Sequence, residues 1–562
     1  ARIADDEPEA EVPFGLPGAR RLALDRLSAD EGLELARTLL GPGTDIDDRD
    51  VARAIADEAA GHPLFVDELV RHAQFLGGVA PAGVRLDDAL FSRVSRLDAP
   101  ARKLLDVVAV AGVALAHDVA VRAAGISTVE AAPVAQTLRT AHLARTAGSR
   151  GLETIEPYHD RVREAVVARL DPKVRRDLHE AIARALESRG VLDADALSAH
   201  WLGAGDASKA AEYARKAADQ AFAALAFDRA AALYARALAL GTSDEAGRQA
   251  LRVRLGESLA NSGHGAEAAR AFGEASERET TPDQALELRR RAAEELLTAG
   301  LLDEGSDMLR AVLRAVAIGM PTTSIGALLS LLFYRLVLWI RGDGYVERAE
   351  HQLPARVVRR HDACSSVARA LSAVDTIRGA YFQTRVMLFA LELGEATRLA
   401  SALAFEAVAV AASGPRRATR AMRLVADSAA IAQRTLDPKA TGVASIAAGY
   451  AYFLQGRFRE SLSRCDQGGE ILRVGSPGSF WERRMAFTGG AWALAWMGDV
   501  VELSKRVERG IHEAEHRGDI YSTTTLRTGL FGLVWLARGD AQGARAAALD
   551  AARAWTQRGY HS

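Results

Sequence analysis

Six turns of one kind recur from about residue 200 onward, and more than any other feature they restrict this 562-residue chain to an array of helix pairs. "LANSGHGAEAARAF", "LLTAGLLDEGSDML", "YFLQGRFRESLSRC" and "WMGDVVELSKRV" each place a Gly four residues before a Glu, at Gly263 and Glu267, Gly300 and Glu304, Gly456 and Glu460, Gly498 and Glu502. "WLGAGDASKAAEYA" and "WLARGDAQGARAAA" keep the Gly and the small residues after it but lack the Glu. The Gly lets one helix end sharply, and the Ala-rich faces that follow allow close antiparallel packing. Several of these turns lie about 40 residues apart, longer than the roughly 34 of a strict tetratricopeptide unit, so an irregular tetratricopeptide-like array is expected over residues 173–562. Val174, Leu178, Ile182 and Leu186, spaced four apart, form the apolar stripe of one of its surface helices. Helices that cannot bury their faces alone stack into a solenoid, whose concave side offers a surface to a protein or small-molecule partner.

Two smaller domains precede the array. Residues 28–78 read as a small helical domain: Val51, Ile55 and Ala59 repeat at helical spacing, then Phe65, Leu69 and Ala73. Between them, in "AAGHPLFVDELVRH", Gly61 suits the left-handed position that ends one helix and Pro63 the first turn of the next. Residues 79–172 read as three short helices, "APARKLLDVVAVAG", "AHDVAVRAAG" and "STVEAAPVAQTLRTAH", then two apolar runs around a Gly-containing turn in "LARTAGSRGLETIEP". Three helices and a hairpin make a winged helix. "YHDRVREAVVARLDP" opens another helix that is expected to stop at Asp171-Pro172. The fold class is therefore mostly all-α, with one short β-hairpin.

Composition excludes several functions. With 49% hydrophobic and 26% charged residues the chain can bury a large core, and its formal net charge of −2 predicts no strong attraction to nucleic acid or an anionic membrane. Cys364 and Cys465 are too few for a disulfide scaffold and have no metal-ligand neighbours, which suits a reducing, cytoplasmic setting. The first residue is Ala, and "ARIADDEPEAEVPFG" is too acidic for a secretory signal, so the record is expected to start inside a longer protein. It is expected to be cut at its other end too, at "RAWTQRGYHS", just after an incomplete helix pair. "SIGALLSLLFYRLVLWIRG", residues 324–342, is apolar except for Arg335 and Arg341. It falls short of the roughly 20 residues that span a bilayer and carries an Arg near its middle, so a buried helix within the array is the expected reading and a membrane span the weaker one.

The search for chemistry is mostly negative. No G-x-x-x-x-G-K-[ST] phosphate loop, G-x-S-x-G, H-E-x-x-H, C-x-x-C or kinase motif occurs. His512 and His516 sit four apart without a third ligand, Asp362 and Asp375 are too distant to be called a carboxylate pair, and no metal site is assigned. Catalysis by this chain alone is not expected. The third helix of the winged unit, where DNA would be read, offers only Arg139 and His142, against Glu130.

One resemblance runs through these segments in order. "RLALDRLSADEGLELARTLLG", "AAGHPLFVDELVRH", "RLDAPARKLLDVVAVAG" and "PYHDRVREAVVARLDPKVRRDLHEAIARALE" resemble the back half of a STAND-class, AAA-type ATPase module, in which an ATPase core precedes a small helical domain, a winged helix and a repeat sensor. The distal stretches, among them "GSFWERRMAFTGGAWALAWMGDVVEL" and "HRGDIYSTTTLRTGLFGLVWLARGD", look like the repeat arm of large PknK-like bacterial serine/threonine protein kinases of the myxobacterial type. The resemblance implies that residues 1–27 are the tail of an NTPase core or a linker. It also implies that Gly61 and Pro63 lie against an adenine base, and that His159 reaches the β-phosphate of ADP. An upstream ATPase core and kinase domain would complete the protein, and ATP or ADP would bind only there, not to this chain alone. Two alternatives stay open: a helical scaffold with no nucleotide step, and a LuxR-type transcription regulator of the maltose-activator kind, with its DNA-binding domain after the repeats.

Overall fold

The computed structural model describes residues 26–41, 48–75, 90, 92–148, 153–190, 193–241, 244–371, 375–476 and 478–555. The chain forms two compact units, Ala1–Asp206 and Ala207–Ser562. The division that the sequence suggests at residue 172 therefore falls inside the first unit, while the one at 78 and nearly all of residues 1–27 lie outside the described residues.

Three helices open the first unit: α1 (Ala29–Leu40), α2 (Asp48–Ala59) and α3 (Pro63–Phe75). A capping box starts α1, with the Ser28 hydroxyl accepting from the Glu31 N–H and the Glu31 carboxylate accepting from the Ser28 N–H. The helices bury Ala36, Ala52, Ile55, Ala59, Leu69 and Ala73, so the apolar spacing seen in sequence becomes their common core. There follow α4 (Ala99–Ala111), β1 (Leu115–Ala116), α5 (His117–Ala123), α6 (Thr128–Thr140), β2 (Ala144–Ala147) and β3 (Thr154–Pro157). The hairpin pairs antiparallel with Thr146 opposite Ile155, and β1 adds a third strand to give the order β1-β3-β2. Sequence reasoning missed β1 because two residues are too few to show an alternating pattern. Ile155, Leu115 and Leu143 bury the sheet against the helices.

After the sheet come α7 (Asp160–Val167), α8 (Pro172–Arg189) and α9 (Ala194–Ala204). α7 stops before the expected Asp171-Pro172 break, because Asp171 serves as the N-cap of α8 and accepts from the Lys173 N–H at 2.7 Å. Only the second half of the α8 stripe is buried: Ile182 and Leu186 are covered, whereas Val174 is exposed. α8 packs on α4 and α5, which is why it belongs to the first unit.

The second unit is the helical array. It runs through α10 (Ala207–Ala223), α11 (Phe227–Leu240), α12 (Glu245–Ser262), α13 (Gly265–Arg278), α14 (Pro282–Thr298) and α15 (Leu302–Ala315). It continues with α16 (Ser324–Arg341), α17 (Ala355–Leu371), α18 (Thr376–Leu393), α19 (Ala396–Ala412), α20 (Ala418–Thr435) and α21 (Pro438–Phe453). The last helices are α22 (Phe458–Gly475), α23 (Phe480–Met497), α24 (Val500–Arg517), α25 (Ile520–Arg527), α26 (Leu533–Leu536) and α27 (Ala541–Ala554). All six turn glycines are left-handed, with φ from +74° at Gly498 to +91° at Gly300. That conformation ends a helix sharply at little steric cost. Each Glu four residues later is the third residue of the following helix, where a carboxylate favours the positive end of the helix dipole.

The array also closes on itself. The Ile520 N–H donates to the Ala299 carbonyl at 3.1 Å, and Arg484 donates to the Thr298 carbonyl at 2.6 Å. Helix α14 thereby meets α23 and α25, far along the chain. The expected buried helix at residues 324–342 is overturned: α16 lies on α18 but buries only Ala327 and Leu338, and most of its apolar side chains face outward. Length and composition alone would let it cross a membrane.

Candidate functional site

The turn between α2 and α3 is built from two left-handed residues in succession, Ala60 at φ +47° and Gly61 at φ +76°. The His62 N–H bonds back to the Ala59 carbonyl at 2.9 Å, and the Gly61 carbonyl accepts from the Leu27 N–H at 2.9 Å. A Cβ on Gly61 would stand 2.3 Å from the Leu27 carbonyl oxygen, so both the backbone angle and the close approach require glycine. Pro63 is the first residue of α3 and is exposed.

His159 is the N-cap of α7. Its Nδ1 accepts from the Arg161 N–H at 3.2 Å, which leaves the proton of the neutral ring on Nε2 and makes that atom a donor. The structure brings this histidine to the turn. The His62 and Phe65 rings stack at 4.2 Å, and His159 meets both edge-on, at 5.2 Å and 5.0 Å. Gly61, Pro63 and His159 thus lie around one aromatic cluster at which the amino ends of α3 and α7 meet. Sequence reasoning did not single out His62 and read Phe65 only as part of an apolar helix stripe. The available signal was that the residue between Gly61 and Pro63 is itself aromatic and lies three before Phe65, one helical turn away.

On α6, Arg139 is engaged within its own unit, by Gln136 and by Thr146 at 3.3 Å. His142 packs edge-on against Tyr158 at 5.4 Å. Arg139, the one Arg or Lys of that helix, is therefore already committed to local contacts.

A second polar assembly links distant helices of the array. Arg369 of α17 pairs with Glu294 of α14 and lies 4.0 Å from Glu482 of α23, which Lys439 of α21 approaches at 3.2 Å. Burial would push Glu482 up, but Lys439 and Arg369 outweigh it and hold the carboxyl below its ordinary range. Glu295 lacks such compensation: burial raises it to about 7, with Arg291 and Arg484 offsetting only part. Beside these charges Trp481 and Phe405 stand 6.0 Å apart, and a shallow depression is lined by Phe405, Val408, Val443, Ile446, Tyr450 and Met485. These ion pairs tie α14, α17, α21 and α23 to one another. Asp362 bonds to His361 at 2.9 Å, while Asp375 caps α18 through the Arg378 N–H at 3.0 Å, so the two carboxylates have separate structural uses. Burial pushes both cysteine thiols up to about 12, which leaves neither a ready nucleophile.

No protein-family model matches the chain, and no curated protein matches its sequence. Among solved structures it is similar to the STAND protein with a tetratricopeptide repeat sensor PH0952 from Pyrococcus horikoshii, at 10% identity over 94% of this chain and 72% of that one, with a TM-score of 0.35. It is also similar to a Rap protein complexed with Competence and Sporulation Factor, at 12% identity over 55% of this chain and 92% of that one, TM-score 0.27. A third is human IFIT1, solved as a dimer with PPP-AAAA, at 12% identity over 94% of this chain and 95% of that one, TM-score 0.22. These are likenesses of helical architecture at low identity, and they say nothing of what this chain binds.

Proposed function

We propose that this chain is the regulatory and partner-sensing segment of a cytoplasmic STAND-type signalling ATPase, within a multidomain serine/threonine protein kinase. In the intact protein an ATPase core holds the nucleotide phosphates and Mg²⁺. The exposed Pro63 and the Gly61 turn close over the adenine, and His159 donates to the β-phosphate of ADP. A protein or small-molecule partner on the array favours the ATP-bound open state over this ADP-bound closed one. It can do so only to the extent that it binds the two states with different affinity.

The observation that carries the reading is the meeting of the turn and His159 in one aromatic cluster, although they belong to separate helical groups far apart in sequence. Two helix amino ends and an imidazole donor on one patch suit an anionic ligand. The kinase assignment rests on the resemblance of the distal repeat stretches. The test is release of fluorescent ADP from the full-length gene product. His159→Ala removes one charge-assisted donor, and release is expected to quicken by roughly tenfold, the equivalent of about 1.4 kcal/mol. Unchanged release removes His159 from the site.

A further inference from the structure

α16 presents an apolar face that nothing in its unit covers. Ile325, Leu329, Leu332, Phe333, Leu336 and Trp339 all point outward, and Trp339 is 75% exposed. Leu328 and Ile340 widen the face beyond the narrow seam of a coiled coil. No acidic residue occurs in the helix, and its two cations are tied to the protein: Arg335, at the edge of the face, donates to Glu406 at 2.5 Å, and Arg341 to the carbonyls of Gly342 and Gly344. A face of this kind on a water-soluble fold marks a docking surface.

The charge beside it indicates what docks. Arg416, Arg417, Arg420 and Arg423 are exposed at the start of α20, and among the described residues none of Arg416, Arg417 and Arg423 makes an ion pair. Glu406, on which Arg335 is anchored, belongs to α19, and both α20 and the Pro415–Arg417 turn that carry the arginines pack on α19, so one helix joins the cluster to α16. Glu347, in the loop after α16, pairs with Arg434 of α20 and leaves Arg416, Arg417 and Arg423 to present their charge to solvent. The chain's net charge of −2 hides this local excess.

We propose that α16 and the arginine cluster dock this protein in the plane of an anionic lipid bilayer, the apolar face entering the acyl boundary and the arginines meeting the headgroups. Crossing the membrane is disfavoured by the fold, because α16 packs on α18, with Tyr334 against Tyr381 at 5.6 Å, and Arg335 would have to leave a buried carboxylate.

The test is co-sedimentation of the full chain with phosphatidylserine–phosphatidylcholine vesicles and with pure phosphatidylcholine vesicles, at low and high salt. Binding is expected to the anionic vesicles, weakened by salt. It is expected to fall about tenfold or more in Leu332→Ser/Phe333→Ser/Trp339→Ser and in Arg416→Gln/Arg417→Gln/Arg423→Gln. Circular dichroism of both variants should match the parent, since these side chains are exposed. Absence of vesicle binding by the folded chain, or equal binding to neutral vesicles, overturns the proposal. So does a dimer in light scattering that the apolar triple variant abolishes, which assigns the face to a second copy. Vesicle-bound protein that resists alkaline carbonate extraction indicates a crossing helix and overturns the in-plane arrangement.

Discussion

Gly61→Ala tests how tightly the turn is built. Alanine in the left-handed region costs about 1–2 kcal/mol wherever it occurs. At Gly61 the new Cβ would also lie 2.3 Å from the Leu27 carbonyl oxygen and 3.3 Å from the Arg26 Cβ. Leu27 must then withdraw, and its hydrogen bond to the Gly61 carbonyl is lost, a further ~1 kcal/mol. Gly112, at the end of α4, is the natural control: its φ is +73° but a Cβ there meets nothing within 4 Å. Gly112→Ala should therefore lose about 1–2 kcal/mol and Gly61→Ala about 2–3 kcal/mol. Hydrogen exchange followed by mass spectrometry reads each site locally, which suits a chain of two units better than a single melting temperature. The Gly61 variant should lose protection in peptides covering α1 and α3, by about fivefold more than the control loses in α4. Equal losses at the two sites would refute the close-approach argument.

Two further outcomes follow from buried polar groups. His200 is pushed down to about 4, by burial first and by His179 second, and the two Nδ1 atoms lie 3.0 Å apart. Its folded value lies below the ordinary 6.5, so this stabilisation is complete above pH 6.5 and drains away as pH falls toward 4, to a limit of about 3 kcal/mol. Exchange protection of α8 and α9 should fall over that window, and protection constant down to pH 4.5 would contradict the assignment. In the array, Arg335→Ala should destabilise by about 3 kcal/mol, because Glu406 is 2% exposed and its other oxygen has no hydrogen-bond partner. Arg335→Met with Glu406→Leu should recover most of that loss in urea unfolding followed at α19; failure of the double variant to recover would show that the pair matters for more than charge.

Much of the fold was legible because its signals are local. The turn glycines could be read from sequence since a left-handed residue and a small-residue helix face lie within a few positions of each other. The same holds for the α2–α3 turn. Contacts between distant segments left no such trace. The meeting of His62 with His159 and the closure of α14 on α23 and α25 depend on how whole helices pack. α16 shows a different gap: an apolar run looks the same whether its side chains are buried or exposed, and only the packed structure separates the two. The arginine cluster near it was invisible in the net charge, which averages over the whole chain.

The central claim is that the Gly61–Pro63 turn and His159 form one surface that closes on a purine nucleotide. Photolabelling the full-length gene product with an azido-adenine analogue of ADP tests it most directly. The account predicts a label on the peptide spanning Gly61 to Phe65, suppressed by excess ADP. Labelling confined to other segments, or none that ADP suppresses, would contradict it.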